Sequence, residues 1–280
     1  MTTEATPATG TRVPLVAPPR RARLWSLRGL VTALIVAGVI VVHVLAWNAT
    51  GMSISALVEG WHGIVDFMKQ ATPPDLSWNQ VVKPALQAAK VTLYMGLLGT
   101  TLSVPPALLL AVLGARTTTP NVVVYQASRS LLSVLRAIPE VVYALIFVAA
   151  VGLGPFPGVL ALVVHNVGVM GKLWSEAIEE IDMGPIDALR SAGARPTQVV
   201  SNAVVPAVFP QFVGLLLYRF DVNVRASLVL GLVGAGGIGF LINQSINLFQ
   251  FDQMLTQILV VLVLVLAVDN LSVFVRKRIS

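Results

Sequence analysis

The chain has 280 residues, of which 56% are hydrophobic and 11% charged, with a mean hydropathy of +0.81; soluble domains carry about 25% charged residues, so a soluble fold is excluded. The formal charge of +6 comes from basic residues gathered at the edges of apolar runs, a pattern of membrane topology and not of a nucleic-acid footprint. Cysteine is absent and the three histidines, His43, His62 and His165, are scattered, which excludes disulfides, thiolate chemistry and Cys-ligated metals and leaves no expected metal site.

In chain order, residues 1–29 open with a Thr/Pro/Ala/Arg-rich tail that cannot bury a core and is predicted to be disordered. Residues 30–47 are an uncharged apolar run long enough for a first membrane span, read as retained because its polar preface is long and no clean small-x-small cleavage site follows. Residues 48–84 are more polar, with Trp47, Trp61 and Trp78 nearby and a Pro73-Pro74 break, as suits an interfacial excursion outside the membrane. The core, residues 85–275, is predicted to hold five more spans. The second lies within 91–113 and is kinked by Pro105-Pro106; a short loop, Gly114 to Pro120, follows. The third begins amphipathic with Arg129 and Arg136 and turns apolar after Glu140. From Val141 to Gly171 there is no charge, which is too long for one span, and the segment from Gly152 to Gly158 reads as a tight hairpin joining spans three and four.

A polar island from Lys172 to Asn202 comes next, then a fifth apolar segment from Ala203 that runs through Arg219, Asp221 and Arg225 into a glycine-rich stretch with Gly234, Gly236, Gly237 and Gly239. The last span lies between Gln253 and Val275, and residues 276–280 form a basic end. Six spans place both termini on one side. Arg20, Arg21, Arg23 and Arg28, then Arg116 and Arg129, then Lys172, Arg190 and Arg195, and finally Arg276-Lys277-Arg278 all fall on that side, predicted to be cytoplasmic; Lys69, Lys83 and Lys90 on the other are a partly contrary signal.

Within the island, Met183-Gly184-Pro185 suits the first turn of a helix, Ile186, Leu189 and Ala192 share one face, Gly193 ends the helix and Pro196 can start another. Such an amphipathic helix either lies on the headgroups or docks a soluble partner, and pattern alone favours neither. Intramembrane Arg219 and Arg225 mark a candidate path for an anion, with Asn223 adding polar contacts. The competing expectation is that Asp221 pairs with Arg225, and Arg136 with Glu140, at i and i+4. His165-Asn166 is a further polar spot, read as a helix-to-helix hydrogen bonder. Gly234 to Gly239 satisfies G-x-G-x-x-G, yet bilayer-length apolar runs surround it where a dinucleotide site needs a βαβ unit in water, so close helix packing or a movable gate is expected instead.

Asp187, Ala188, Leu189, Gly193, Val205 and Pro206 resemble the cytoplasmic signature of binding-protein-dependent ABC importer permeases, with Asp in place of the commoner Glu and Leu in place of the second Ala. Leu135–Glu140, Gly152–Pro155, Gly171–Leu173, Tyr218–Arg225 and Val229–Gly239 together resemble the phosphonate-transport permeases, over most of Leu135 to Phe240. This resemblance implies an all-α, six-span type I importer permease whose helix around Gly184, Pro185, Ile186 and Asp187 enters a groove on an ATPase subunit and transmits its closure. It further implies import of phosphonate, phosphite or phosphate with an extracytoplasmic solute-binding protein. The chain has no Walker A pattern, so ATP and Mg are expected on two separate ATPase subunits. One docking helix per chain implies two permease copies, most simply a twofold homodimer in the inner membrane, with membrane lipid but no nucleic acid as a further partner. No catalytic residue is expected. An ion-gradient-driven secondary transporter is the alternative, although no inverted repeat is evident and Asp269 is a poor proton relay. An intramembrane lipid phosphatase would need a constellation that one mid-span histidine does not supply.

Overall fold

The structure, a computed structural model, describes residues 27–279; most of the tail predicted to be disordered, including Arg20, Arg21 and Arg23, lies outside them. The described residues are helical, with no strand among them. They divide into two compact units, up to His62 and from Gly63 onward. In the first unit, α1 (Leu27–Ala49) contains a 21-residue apolar stretch long enough to cross a bilayer, and Ser53 caps the short α2 (Ile54–Glu59) by accepting from the Ala56 amide at 3.3 Å.

α3 (Trp61–Ala71) leads into the second unit, where Phe67 meets Phe251 edge-on at 5.0 Å. A π-helical turn at Trp78–Val82 then runs directly into α4 (Lys83–Thr101) and α5 (Val104–Leu113). The helix of span two therefore begins at Trp78, inside the segment read as an excursion. A second π turn, Val200–Val204, joins the short α10 (Pro196–Val199) to α11 (Val205–Leu232). Each π turn sits just ahead of a proline, Pro84 and Pro206, and widening the coil there relieves the clash of the ring with the carbonyl four residues earlier. The predicted kink at Pro105-Pro106 appears as the break between α4 and α5, where the Ser103 hydroxyl donates to the Thr100 carbonyl at 2.7 Å.

Span three is broken. α6 (Val122–Ala137) and α7 (Glu140–Val151) meet at 82° across Ile138-Pro139, with Ile138 extended at φ −89°, ψ 122° as a residue before proline prefers. Two carbonyls near the break are taken by side chains: Tyr143 Oη donates to Leu135 O at 3.1 Å, and His165 Nδ1 to Ile138 O at 3.1 Å. The helix-bridging role expected of His165 is the one it takes. The same bend overturns the expected Arg136–Glu140 pair, because the two residues no longer share a helix face; Glu140 lies instead 3.6 Å from His165 Nε2. The hairpin after α7 is tight, with Gly152 and Gly154 at φ 100° and 138°. It leads into α8 (Pro155–Glu179), which carries eight residues of the supposed island, Lys172 to Glu179, as the last turns of a membrane helix.

α8 is the centre of the bundle, packed against α4, α5, α6, α7 and α11. Small residues make this possible, since between helices in a bilayer the attraction comes from close van der Waals contact. A Cβ on Gly168 would lie 2.6 Å from the Arg136 amide nitrogen, and one on Gly99 2.6 Å from Leu162 Cβ. Buried Met95, Tyr143, Leu162 and Leu230 form one core; Ala107, Ala111, Met170 and Trp174 form another, with Trp174 stacked on Phe212 at 4.8 Å. α12 (Gly237–Asn247) folds back on α11 and packs on α4 and α13 (Phe251–Ile279). The start of α13 is tied to the preceding excursion by Thr256 Oγ1 donating to Asp75 O at 2.7 Å. Among the described residues five helical segments are long and apolar enough to span a bilayer, and six if the bent α6–α7 pair counts as one. Gly168→Val is expected to lower the stability of the bundle by about 1–3 kcal/mol through overpacking, seen as a reduced unfolding midpoint in detergent; an unchanged midpoint would contradict the close α6–α8 contact.

Candidate functional site

The island folds as α9 (Met183–Ser191). Asp182 caps it, accepting from the Gly184 amide at 3.0 Å, and Pro185 occupies the first turn. At the other end Gly193 stands at φ 79°, its amide donating to Arg190 O and that of Ala194 to Leu189 O, both at 3.0 Å. This pair of bonds is a Schellman ending, which favours glycine at that position. Ile186 is buried with Val199 and Ala203, and Leu189 and Ala194 are half-buried beside them. Ala192, expected on the apolar face, is exposed at the helix end and Ala194 takes its place. Gly184, Pro185, Asp187 and Ala188 face outward, with Asp187 3.5 Å from Arg190. Val205 and Pro206 are exposed at the start of α11. Behind α9 lies an apolar cavity of about 480 Å³ bounded by Ile178, Ile181, Ile186 and the loop residues Thr117 and Thr118.

A charged clamp holds the base of this helix. Arg129 on α6 lies 3.6 Å from Glu176 and 3.5 Å from Glu179, both on α8; Lys172 lies 3.1 Å from Glu176. The Arg116 amide donates to Glu179 Oε1 at 2.8 Å, and its Nε to Tyr125 Oη at 3.1 Å, a bond that pushes the guanidinium pKa still higher. Arg116 and Arg129 both stand over the Tyr125 ring, at 5.4 and 5.5 Å. In the sequence Arg116 and Arg129 read as topology markers only; their acidic partners lie 47 to 63 positions away, and no local pattern announces such a pairing.

At membrane depth, Arg219, Asn223 and Ser227 lie at i, i+4 and i+8 on α11, all buried. Asn166 Oδ1 accepts from Arg219 Nε at 3.0 Å and Nη2 at 2.5 Å, while Asn166 Nδ2 donates to Gly99 O at 3.2 Å. Asn223 Nδ2 donates to Thr100 Oγ1 at 2.7 Å. Thr92 Oγ1 accepts from the Ile238 amide at 2.9 Å. Four helices, α4, α8, α11 and α12, are thus stitched by polar contacts. Arg225 is exposed and pairs with buried Asp221, the expected i, i+4 pair. Arg219 and Asn223 lie inside the subunit, whereas Arg225 is on its surface. The glycines form a close turn: Gly234, Gly236 and Gly237 have φ 94°, 75° and 70°, Gly154 N donates to Gly234 O at 3.0 Å, and Gly239 packs against α11 at Leu228 and Gly231. Asn166, Thr92 and Thr100 went unassigned to this site from sequence; the polar residues spaced by four on α11 were the available signal.

Residues 103–280, from the kink of span two to the end, match the family of binding-protein-dependent transport system inner membrane components. The chain belongs to this family. It is therefore a multi-pass inner-membrane permease component of an importer system, which sets aside the secondary-transporter and intramembrane-enzyme readings. Among curated relatives, the phosphite transport system permease protein PtxC of Stutzerimonas stutzeri is 41% identical over 239 residues, 85% of this chain and 86% of that protein. The phosphate-import permease protein PhnE of Mycolicibacterium smegmatis is 39% identical over 80% of this chain and 41% of that one. The permease fold is shared with the inward-facing MetNI methionine ABC transporter, TM-score 0.57 at 22% identity over 71% of this chain and 96% of that one. It is shared also with a bacterial alginate ABC transporter, TM-score 0.56 at 15% identity over 81% and 95%. Within this permease, Asn166→Leu strands the Arg219 cation and is expected to cost about 1.5–3 kcal/mol. Adding Arg219→Met should recover part of that loss. Strictly additive unfolding free energies in the double-mutant cycle would sink the pairing.

Proposed function

We propose that this chain is the membrane subunit of an ATP-driven importer for a phosphorus oxyanion, phosphonate, phosphite or phosphate, and that α9 is the lever driven by its ATPase. The observation that carries the reading is the division of α9 into two faces. Ile186 and Leu189 fasten it to α10 and the π turn that leads into α11, while Gly184, Pro185, Asp187 and Ala188 stand free to enter a groove on a partner. The cavity behind it leaves room for the lever to tilt. Its rigid connection to α10, the π turn and α11 would carry that tilt toward the buried Arg219–Asn166 contact. The substrate class is supported by the names of the relatives, a phosphite permease and a phosphate-import permease among them.

ATP and Mg are bound by two ATPase subunits, and an extracytoplasmic solute-binding protein delivers the anion. Because a single chain offers one lever, two permease subunits are required, here taken as a twofold pair of this chain; a related permease chain in the second place is the alternative that the mass of the purified assembly decides. Clustering of Arg116, Arg129, Arg190, Arg195 and the Arg276–Arg278 end on the α9 side supports a cytoplasmic location for α9 and the C-terminal end, and an even count of six spans returns the N-terminus to that side. The anion passes along the surface that Arg225 presents; Arg219 and Asn223 stiffen the wall behind it, and the Gly234–Gly239 turn, held to the Gly154 hairpin, is the outer gate. Coupling is reciprocal, so the pore state favoured by ATP also favours ATPase closure.

Uptake by reconstituted assemblies should require ATP hydrolysis, and substrate carried without any ATPase would defeat the reading. A sharper test uses Gly193. Its Cβ position is open space, so substitution acts through the left-handed backbone alone, which disfavours a β-branched residue by roughly 1–2 kcal/mol. Gly193→Val should leave ATP hydrolysis running while uptake falls at least tenfold, and Gly193→Asn, which tolerates that conformation, should retain most uptake.

A further inference from the structure

α4 and α13 pack side by side, and between them an apolar groove of about 540 Å³ is walled by Leu86, Leu93, Val260 and Val263. A smaller trough of about 260 Å³, reaching Leu76 and Leu259, shares Leu86, Val260 and Val263 with it. These residues therefore form a ridge between two parallel troughs. Lys83, Gln87 and Lys90 lie along the groove on one face of α4 at i, i+4 and i+7, the two lysines about 10 Å apart by helical rise, and exposed Trp78 stands at its end. Both lysines are exposed, and neither side chain has an ion pair or a hydrogen bond among the described residues. Cations on the apolar face of a membrane helix are costly unless their stems reach a phosphate at the headgroup level. They also lie at the opposite end of the bundle from the arginine clamp, so they do not serve the charge bias that sets topology.

We infer that this groove binds a diacyl phospholipid with an anionic headgroup, its phosphate between Lys83 and Lys90 and its two acyl chains in the troughs on either side of the Leu86–Val263 ridge. Two troughs fit two chains, and two unpaired cations beside an interfacial tryptophan fit the headgroup. A second protein helix in the same place would bury both lysines without a counter-charge. The inference is independent of what the transporter carries.

The test is native mass spectrometry of the whole protein released from vesicles of equal phosphatidylglycerol and phosphatidylcholine. Phosphatidylglycerol should be retained preferentially, and the preference should fall about tenfold or more in K83Q/K90Q while K83R/K90R keeps it. Leu86→Trp, which fills the troughs, should reduce retention of both lipids. Equal retention of the two lipids by the natural protein, or an unchanged preference in K83Q/K90Q, would overturn the assignment. So would loss of bound lipid to inorganic phosphate but not to chloride at the same ionic strength. Because the chain has no cysteine, an L86C variant also reports directly on the occupant: a disulfide-linked pair of chains in the membrane would show a second copy over the groove and would refute it.

Discussion

In the bilayer core no water is available to satisfy a backbone group, and the rest of this structure depends on how that demand is met where the helices break. Prolines at 84, 105, 106, 139 and 206 interrupt the spans. At each interruption the chain either widens into a π turn or recruits a side chain. Ser103 serves the Thr100 carbonyl, Tyr143 and His165 serve Leu135 and Ile138, and Thr92 receives the Ile238 amide. Ser103, Tyr143 and His165 thus answer the breaks, and they hold in place the bent elements from which an importer permease is made.

The same logic separates the charges into two populations. Arg129, Lys172, Glu176 and Glu179 form an ion-pair network where solvent is near, and it fixes the end of α8 from which α9 departs. Arg219 has no carboxylate in contact and relies on the amide oxygen of Asn166. A neutral acceptor leaves the positive charge in the interior, within the wall of the proposed path. In the proposed coupling, α9, the clamp and the polar row communicate through α8 and the continuous run from α10 into α11.

Much of this was legible beforehand. The apolar run lengths located the spans, Gly152 to Gly158 located the hairpin, and Gly193 located the end of α9, because each depends on local chemistry: hydropathy over about 20 residues or a glycine-permitted φ. Asp221 with Arg225 was equally readable, since i and i+4 on an unbroken helix always face together. The Arg136–Glu140 expectation failed for the complementary reason: the spacing was right, but Pro139 between them ended the shared helix. The expected island runs too long because Lys172, Glu176 and Glu179 look like loop residues until their pairing with one another and with Arg129 is seen.

Sequence by itself determined a polytopic helical protein with a polar helix between two spans, because hydropathy, proline and glycine act on the chain locally wherever it folds. Only the tertiary structure decided that Arg219 and Asn223 point inward to Asn166 and Thr100, that the glycines near 234 close a tight turn against Gly154, and that Glu179 clamps Arg129. Those outcomes join residues tens of positions apart, and which face of a nearly uniformly apolar helix turns inward is settled by the fit of small residues against their neighbours, not by any periodic signal within the helix.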